Sequence, residues 1–350
     1  MAYTTIDDPS AYFKVQLYTG NGSTNAITFN DTDTDMQPDW VWLKNRNSSG
    51  HDHFLFDAAN GVQKFLSSND TGALAAADSS YLTAFNTDGF TLGSSDGMNE
   101  NTITFVSWNW KANGAGASNT DGSINTTKTS ANTTSGFSIS TYTGTGIGSG
   151  TATVGHGLGA VPSLVIQKRT GGAANWGMYH KSIGNTGSIA LNSDDATNTQ
   201  TDYWGDTTPT SALVTVGPNF AISGGNVLFS FIEKQGFSKF GSYLGNGNAD
   251  GAFVYTGFKP AFVMMKGTSA SKNWIMYDNK RLGYNVSNSY LYANESNNES
   301  DASHIIDLVS NGFKCRANSS DTNTSGSTYI FLAFAESPFV NSSGVPTTAR

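Results

Sequence analysis

The sequence predicts an all-β protein made of three tandem antiparallel β-sandwich repeats of about 100 residues. Three observations lead to this prediction. Apolar runs are short, rich in β-branched and aromatic residues, and bounded by clusters of Gly, Asn and Asp. We find no convincing pattern for a long helix. The chain also repeats itself, which indicates several copies of one unit.

Four landmarks recur in the same order in three copies. A tyrosine followed by a glycine-rich turn opens each copy, at residues 18–22, 142–146 and 243–247. A proline and an apolar run ending in lysine follow, at residues 38–44, 162–168 and 260–266. The third landmark is a short apolar strand, at residues 54–57, 177–180 and 275–278. The fourth is a turn and strand, at residues 88–92, 218–222 and 311–315.

Each copy closes on a further apolar strand, at residues 103–110, 227–232 and 329–335. Residues 102–110 nearly alternate between apolar and polar side chains, which is typical of a sheet with one face in water. Asp88-Gly89 and Asn311-Gly312 are the dipeptides that tight hairpins need.

The repeats predict the domain boundaries. An N-terminal arm and the first sandwich occupy residues 1–112, and a linker rich in Gly, Ser, Thr and Asn covers residues 113–135. The second sandwich is expected at residues 136–235, the third at residues 236–340, and a tail at residues 341–350. We expect each sandwich to fold independently of the others.

Composition excludes several classes of function. The 350 residues carry a net charge of −8, which is the wrong sign for a nucleic-acid-binding face. No window approaches the ~18 continuous apolar residues of a membrane span, and the first residues lack the pattern of a secretory signal. The single cysteine, Cys315, cannot form an internal disulfide, and its alternating context predicts a buried side chain.

Two loops resemble ligand sites in part. Asp31, Asp33 and Asp35 have the alternate spacing of a calcium loop, but the glycine and glutamate of an EF-hand are missing, so surface solvation is the preferred interpretation. A simpler calcium site stays open there. Residues 144–150 are glycine-rich, yet neither the helix nor the lysine of a phosphate-binding loop follows. A flexible hairpin loop fits them better.

Histidines and carboxylates give no catalytic pattern. His51 and His53 form half of a metal site at best, and His180 aligns with Asp57 and Asp278 as a polar residue at the end of a strand. Glu233 and Glu336 recur at equivalent strand ends, but in separate repeats, so they do not form the carboxylate pair of a glycosidase. We therefore predict no catalytic, cofactor-binding or metal-binding residues, no cofactor and no enzymatic activity.

The tryptophans have two interpretations. Trp40, Trp42, Trp176 and Trp274 lie in or beside the apolar strands of the three copies. Exposed indoles stack on sugars, whereas buried indoles fill sandwich cores and find a partner for their N–H group. Because apolar strands need such residues, we predict that these four belong to the core.

The sequence resembles an uncharacterised family of repeated β-domains from virion proteins of marine bacteriophages. The motifs that carry the resemblance span nearly the whole chain, at residues 18–22, 37–46, 108–112, 154–159, 241–247 and 333–339. The resemblance implies a structural protein of the virion surface, assembled in the host cytoplasm, and sandwiches of the jelly-roll or concanavalin-like kind. We expect a tail-fibre or receptor-binding role in host attachment. A capsid decoration or head-fibre protein is one alternative, and a glycan-binding lectin or polysaccharide depolymerase is another.

The same resemblance suggests partners. Other virion proteins are expected to contact the chain, as is a host-surface glycan or protein. The N-terminal arm or the first repeat is expected to dock on the particle. A homo-oligomer is also expected, because virion proteins follow particle symmetry. Nucleic acid and membrane insertion are not expected.

Overall fold

The structure, a computed structural model, describes residues 2–29, 34–282, 285–287 and 289–347. The all-β prediction is confirmed, since the described residues form 26 strands in antiparallel sheets. Helical structure in the described residues is limited to a 3-10 turn (Pro9–Ala11), α1 (Asp96–Asn99) and α2 (Thr201–Trp204). None of these helices has the length and hydropathy needed to cross a bilayer.

We refer to residues 1–112, 113–235 and 236–350 as the first, second and third segments. The first segment contains β1 (Phe13–Thr19), β2 (Asn25–Ile27), β3 (Trp40–Asn45), β4 (Phe54–Asp57), β5 (Lys64–Phe65), β6 (Ala75–Ala76), β7 (Leu82–Asn86), β8 (Gly89–Leu92) and β9 (Thr104–Trp110). Its main sheet has the strand order β1-β9-β3-β4, and β2-β8-β7 forms a smaller sheet. Strands β5 and β6 pair separately.

The second segment contains β10 (Thr126–Asn132), β11 (Phe137–Gly144), β12 (Ala152–Gly155), β13 (Leu164–Arg169), β14 (Gly177–His180), β15 (Gly187–Ala190), β16 (Asn198–Thr199), β17 (Leu213–Val216) and β18 (Gly224–Phe231). Its main sheet has the order β10-β11-β18-β13-β14-β15-β16, and its smaller sheet is β12-β17.

The third segment contains β19 (Ser238–Leu244), β20 (Phe253–Tyr255), β21 (Phe258–Gly267), β22 (Ile275–Asp278), β23 (Leu291–Tyr292), β24 (Ile306–Val309), β25 (Gly312–Cys315) and β26 (Thr328–Pro338). Its main sheet has the order β19-β26-β21-β22-β23, and its smaller sheet is β20-β25-β24.

The three main sheets share one strand order. In each, the strand that carries the first landmark (β1, β11 or β19) pairs with the strand that closes the segment. The closing strand also pairs with the proline-run strand, which pairs with the third landmark. The register also agrees, with Trp40 opposite Trp110, Leu164 opposite Phe231, and Phe262 opposite Phe334. This shared order supports the interpretation as tandem repeats, which together with its domain boundaries remains a prediction.

One large core is common to all three segments. Strand β3 is buried on both faces: Trp40 and Trp42 belong to the shared core, whereas Val41 and Leu43 belong to a core within the first segment. Near-continuous apolar runs are typical of strands covered on both faces.

Phe334 lies at a junction of this shared core. Its ring centroid is 5.2 Å from that of Phe13 and 5.6 Å from that of Trp110 in the first segment, and 5.7 Å from that of Phe231 in the second. Because the segments bury their main sheets against one another, the expectation that each sandwich folds independently is replaced by one of mutual dependence.

The N-terminal arm contacts the third segment and the end of the second. The Tyr3 hydroxyl donates to the carbonyl oxygen of Gly257 in the third segment (2.8 Å), and the Thr4 hydroxyl donates to that of Gln235, the last residue of the second (2.7 Å). The Ser342 backbone N–H donates to Asp7 Oδ1 (2.6 Å), which joins the arm to the C-terminal tail. The arm therefore closes the seam between the first and third segments.

Part of the predicted linker is a strand. Within residues 113–135, β10 adds to the edge of the second main sheet by pairing with β11. Its sequence is mostly Thr, Ser and Asn, so it lacks the apolar alternation that usually marks a strand. Ser130 is nevertheless buried, and its hydroxyl accepts a hydrogen bond from Asn113 N (2.8 Å). The prediction of a linker outside the sheets is wrong for this stretch.

The two predicted hairpins form, with different roles for their glycines. Gly89 has a φ of 105°, a region that L side chains rarely adopt, and a Cβ there would lie 1.9 Å from the carbonyl oxygen of Ile27. Gly312 lies outside that region, but a Cβ there would lie 2.0 Å from the carbonyl oxygen of Val254. Close approach of the backbones therefore requires glycine at both positions.

Candidate functional site

The acidic loop lies mostly outside the described residues. Asp31 and Asp33 are not among them, and Asp35 is exposed. The hydroxyl of Thr34 donates to Asp8 Oδ2 (2.6 Å), which ties the end of this loop to the N-terminal arm. Among the described residues, no group of three or more His, Cys, Asp or Glu side chains is arranged to hold a metal ion. The calcium hypothesis stays a prediction.

The buried histidines serve as hydrogen-bonding groups of the core. His53 Nδ1 accepts from Trp42 Nε1 (2.8 Å), so Nε2 carries the proton and donates to the carbonyl oxygen of Tyr292 (2.9 Å). His180 Nε2 likewise donates to the carbonyl oxygen of Phe331 (3.2 Å). Burial lowers the pKa of His53 well below its usual value and that of His180 to about 4. Both rings are therefore neutral and structural at pH 7.

Three equivalent side chains join the segments into a ring. His53, Trp176 and Trp274 each directly precede the third-landmark strand of their own segment. His53, in the first segment, donates to Tyr292 O of the third segment. Trp176 Nε1, in the second segment, donates to Ser67 O of the first segment (2.9 Å). Trp274 Nε1, in the third segment, donates to Ala190 O of the second segment (2.8 Å). The three contacts close a cycle. As predicted, Trp40, Trp42, Trp176 and Trp274 are all buried.

The lysines that end the three apolar runs repeat this cycle. Lys44 donates to Ser296 O (3.3 Å) of the third segment, Lys168 to Thr71 O (2.9 Å) of the first, and Lys266 to Asp194 O (2.9 Å) of the second. All three lysines are buried, and desolvation lowers the pKa of each to about 8. Their ammonium groups satisfy backbone carbonyls between segments, as buried charges must be satisfied.

The two recurring glutamates are paired with lysines. Glu233 Oε1 lies 2.7 Å from Lys181 Nζ and 3.7 Å from Lys239 Nζ. Glu336 Oε2 lies 2.9 Å from Lys259 Nζ. Each glutamate is therefore held by a lysine, and the two lie in different segments.

A serine, a histidine and an aspartate meet in the third segment, a grouping that no sequence motif indicated. His304 Nδ1 hydrogen-bonds to the Ser319 hydroxyl, and His304 Nε2 lies 2.9 Å from the Tyr292 hydroxyl and 3.7 Å from Asp321 Oδ2. Ser319 is only 5% exposed, so its hydroxyl is closed to a substrate carbonyl. The arrangement holds loops together and does not form an accessible nucleophile.

Cys315 is buried, as predicted. Burial raises the pKa of its thiol to about 11, which keeps it protonated and unreactive at pH 7.

The most site-like feature of the described residues is a groove at one end of the third segment. Its volume is about 590 Å³. It lies where the start of β21 and the end of β26 approach the smaller sheet. The residues that line it are mostly polar or charged: Lys259, Asp278, Asn279, Lys280, Asn285, Ser287, Leu308 and Glu336.

Backbone hydrogen bonds fix the groove walls. The Ser287 N–H donates to Ile306 O (2.8 Å), and Asn279 N–H donates to Ala261 O (2.9 Å). In contrast, the buried atoms Ser287 Oγ and Asn279 Oδ1 have no hydrogen-bond partner among the described residues. The groove lining therefore contains two buried, unsatisfied polar atoms, which native proteins otherwise keep rare.

No sequence signal marked this groove, because its residues come from four separate parts of the third segment. Glu336 was the one groove residue singled out as a recurring carboxylate, and Asp278 the one aligned with His180.

A comparison with protein families matches residues 8–338 to the family described as "Domain of unknown function (DUF7483)". Searches of curated proteins and of solved structures found no match. Because the match spans nearly the whole chain, the protein belongs to the family described as a domain of unknown function, DUF7483.

Proposed function

We propose that the protein is a structural component of a bacteriophage virion surface that contributes to host attachment, as a tail-fibre or receptor-binding protein. The sequence resemblance to virion β-domains is the basis of this proposal. The observation that supports it best is the closed ring of three sheets around one shared core. A rigid β scaffold that presents neutral polar loops suits a protein whose task is surface contact.

Proteomics of purified particles tests the first part of the proposal. We expect peptides of this chain in virions banded on a density gradient, and antibody against it to label the particle surface. Absence from particles that contain their other structural proteins would overturn the proposal. Labelling of the head instead of the tail would favour the capsid-decoration alternative.

Competition for host cells tests attachment. The purified protein should slow adsorption of particles to the host, whereas protein unfolded by heat should not. Normal adsorption in the presence of saturating folded protein contradicts the attachment role.

Binding of a glycan is the one alternative that a specific feature favours, because the groove of the third segment carries unsatisfied polar atoms. A lectin without catalysis fits this feature and is compatible with attachment. Release of reducing ends from host envelope glycan by the purified protein would instead support a depolymerase.

A further inference from the structure

We infer that the groove of the third segment binds a sugar carrying a carboxylate, the chemistry of an acidic polysaccharide. If this groove is where the virion protein meets its host, the inference deepens the proposed function and to that extent rests on it. Three independent features of the groove lead to this ligand class: its unsatisfied oxygens, its charge, and its contrast with the first segment.

The unsatisfied oxygens call for a polyhydroxylated ligand. Ser287 is 3% exposed, and its backbone N–H and carbonyl both bond to Ile306, yet its hydroxyl is unpartnered among the described residues. Asn279 Oδ1 is in the same state. A buried polar atom without a partner costs about 1–3 kcal/mol. Sugar hydroxyls both donate and accept, so one ligand can satisfy the amide oxygen and the hydroxyl together.

The charge of the groove favours an acid. Asp278 is neutralised by Arg281, whose Nε lies 2.7 Å from Asp278 Oδ2, and Trp108 Nε1 donates to the same oxygen (3.1 Å). Lys259 and Glu336 pair with each other. No ion pair to Lys280 is found among the described residues. Its ammonium therefore gives the groove an excess positive charge. In a chain of net charge −8 this is a local reversal of sign.

The first segment shows that the fold does not require these side chains. Counting from the paired residues Phe262 and Phe334 in the third segment, and Trp40 and Trp110 in the first, gives two of the equivalent positions. The position of Asn279 follows from Asp278, which lies opposite Phe262 as Asp57 lies opposite Trp40. These are Gln37 for Lys259, Ala58 for Asn279 and Ala112 for Glu336.

The backbone at these positions is alike in the two segments. Ala58 N–H donates to Asp39 O (2.8 Å), just as Asn279 N–H donates to Ala261 O (2.9 Å). The first main sheet therefore forms the same strand order with uncharged residues at all three positions. In the second segment the equivalents of Asn279 and Glu336 are Lys181 and Glu233, which pair with each other, so a carboxylate at this position also occurs outside the groove. The unpartnered oxygen of Asn279 is particular to the third segment, and ligand binding gives a reason for it.

Calorimetric titration of the purified full chain tests the inference, with trigalacturonate as the probe. Its methyl ester serves as the uncharged probe, and inorganic phosphate as a free anion. We expect trigalacturonate to bind, and the ester and phosphate to bind at least about tenfold more weakly. Ser287→Ala and Lys280→Ala should each weaken binding by about tenfold, since each removes one hydrogen-bonding or charged partner. Asn279→Ala, which installs the residue of the first segment, should do the same.

Lys314→Ala is the matched control, because it removes an exposed lysine of the same segment, paired with Asp250, outside the groove. It should leave trigalacturonate affinity unchanged, and thermal melting should show that every variant is folded. Equal affinity for trigalacturonate and its ester, unchanged binding by the groove variants, or no binding at millimolar concentration each overturns the inference. The assay uses the protein alone, so its failure leaves membership of the particle untouched, and absence from the particle leaves a positive titration standing.

Discussion

Truncation of Phe334 should destabilise the whole molecule, because this ring joins the three segments. Phe334 is 1% exposed and packs against Phe13 and Trp110 of the first segment and Phe231 of the second. Replacing a buried phenylalanine by alanine costs about 3–5 kcal/mol, against a total stability of about 5–15 kcal/mol for a typical folded protein. We expect Phe334→Ala to lower the midpoint of guanidinium unfolding and to keep a single transition.

Native-state hydrogen exchange separates this effect from a local one. Phe334→Ala should raise amide exchange in peptides from all three segments. Phe90→Ala is the matched control, since Phe90 is equally buried but belongs to a core within the first segment. Its effect on exchange should be concentrated in the first segment. Faster exchange confined to the third segment in Phe334→Ala, or three separate unfolding transitions, would refute the idea of one shared core.

Three further outcomes follow from the same structure. A chain ending at residue 235 should lose cooperative thermal unfolding, because it leaves the shared core open; a sharp transition of wild-type width would count against this. The free energy of unfolding should rise from pH 8 to pH 10. Burial lowers the pKa of Lys266 to about 8, whereas an unfolded lysine has a pKa of about 10.4. The unfolded state therefore binds more protons than the folded state in this range, which makes folding more favourable as the pH rises. Lys44 and Lys168 contribute in the same way, so Lys266→Met should reduce that rise in denaturant titrations at fixed pH without abolishing it, and an unchanged slope would contradict the assignment. Cys315 should react with a thiol reagent only on unfolding, since it is buried and its pKa is raised to about 11; rapid labelling of the folded protein is the contrary result.

The fold class and much of the core follow from the sequence. Short apolar runs between turn residues predict strands, and the four tryptophans in or beside those runs are buried as expected. The run of residues 40–44 is apolar at more positions than a strand with one face in water needs. Apolar residues at successive positions indicate a strand covered on both faces, and the second covering layer proved to be the other segments.

The mutual packing of the segments could not be predicted, because periodicity reports which face is apolar and not what covers it. The lysines that end the three runs recur in the sequence. Each one donates to a backbone carbonyl of a neighbouring segment, which explains why lysine recurs at this position. The groove could not be predicted from the sequence for another reason. Ser287 and Asn279 are ordinary loop residues in the sequence, and only the folded backbone makes their oxygens buried and unpartnered.

The contact between Asp7 and Ser342 has a mechanical consequence. The two ends of the described chain leave the molecule on the same side, where the arm lies against the third segment. A pulling force applied between these ends loads the bonds of Tyr3 and Thr4 first, because they lie nearest the N-terminal end, and then the contact between Asp7 and Ser342. The aromatic interior carries none of this load until the arm has detached. Under such a force the contacts of the N-terminal arm therefore break first, while the three sheets and their shared core stay folded.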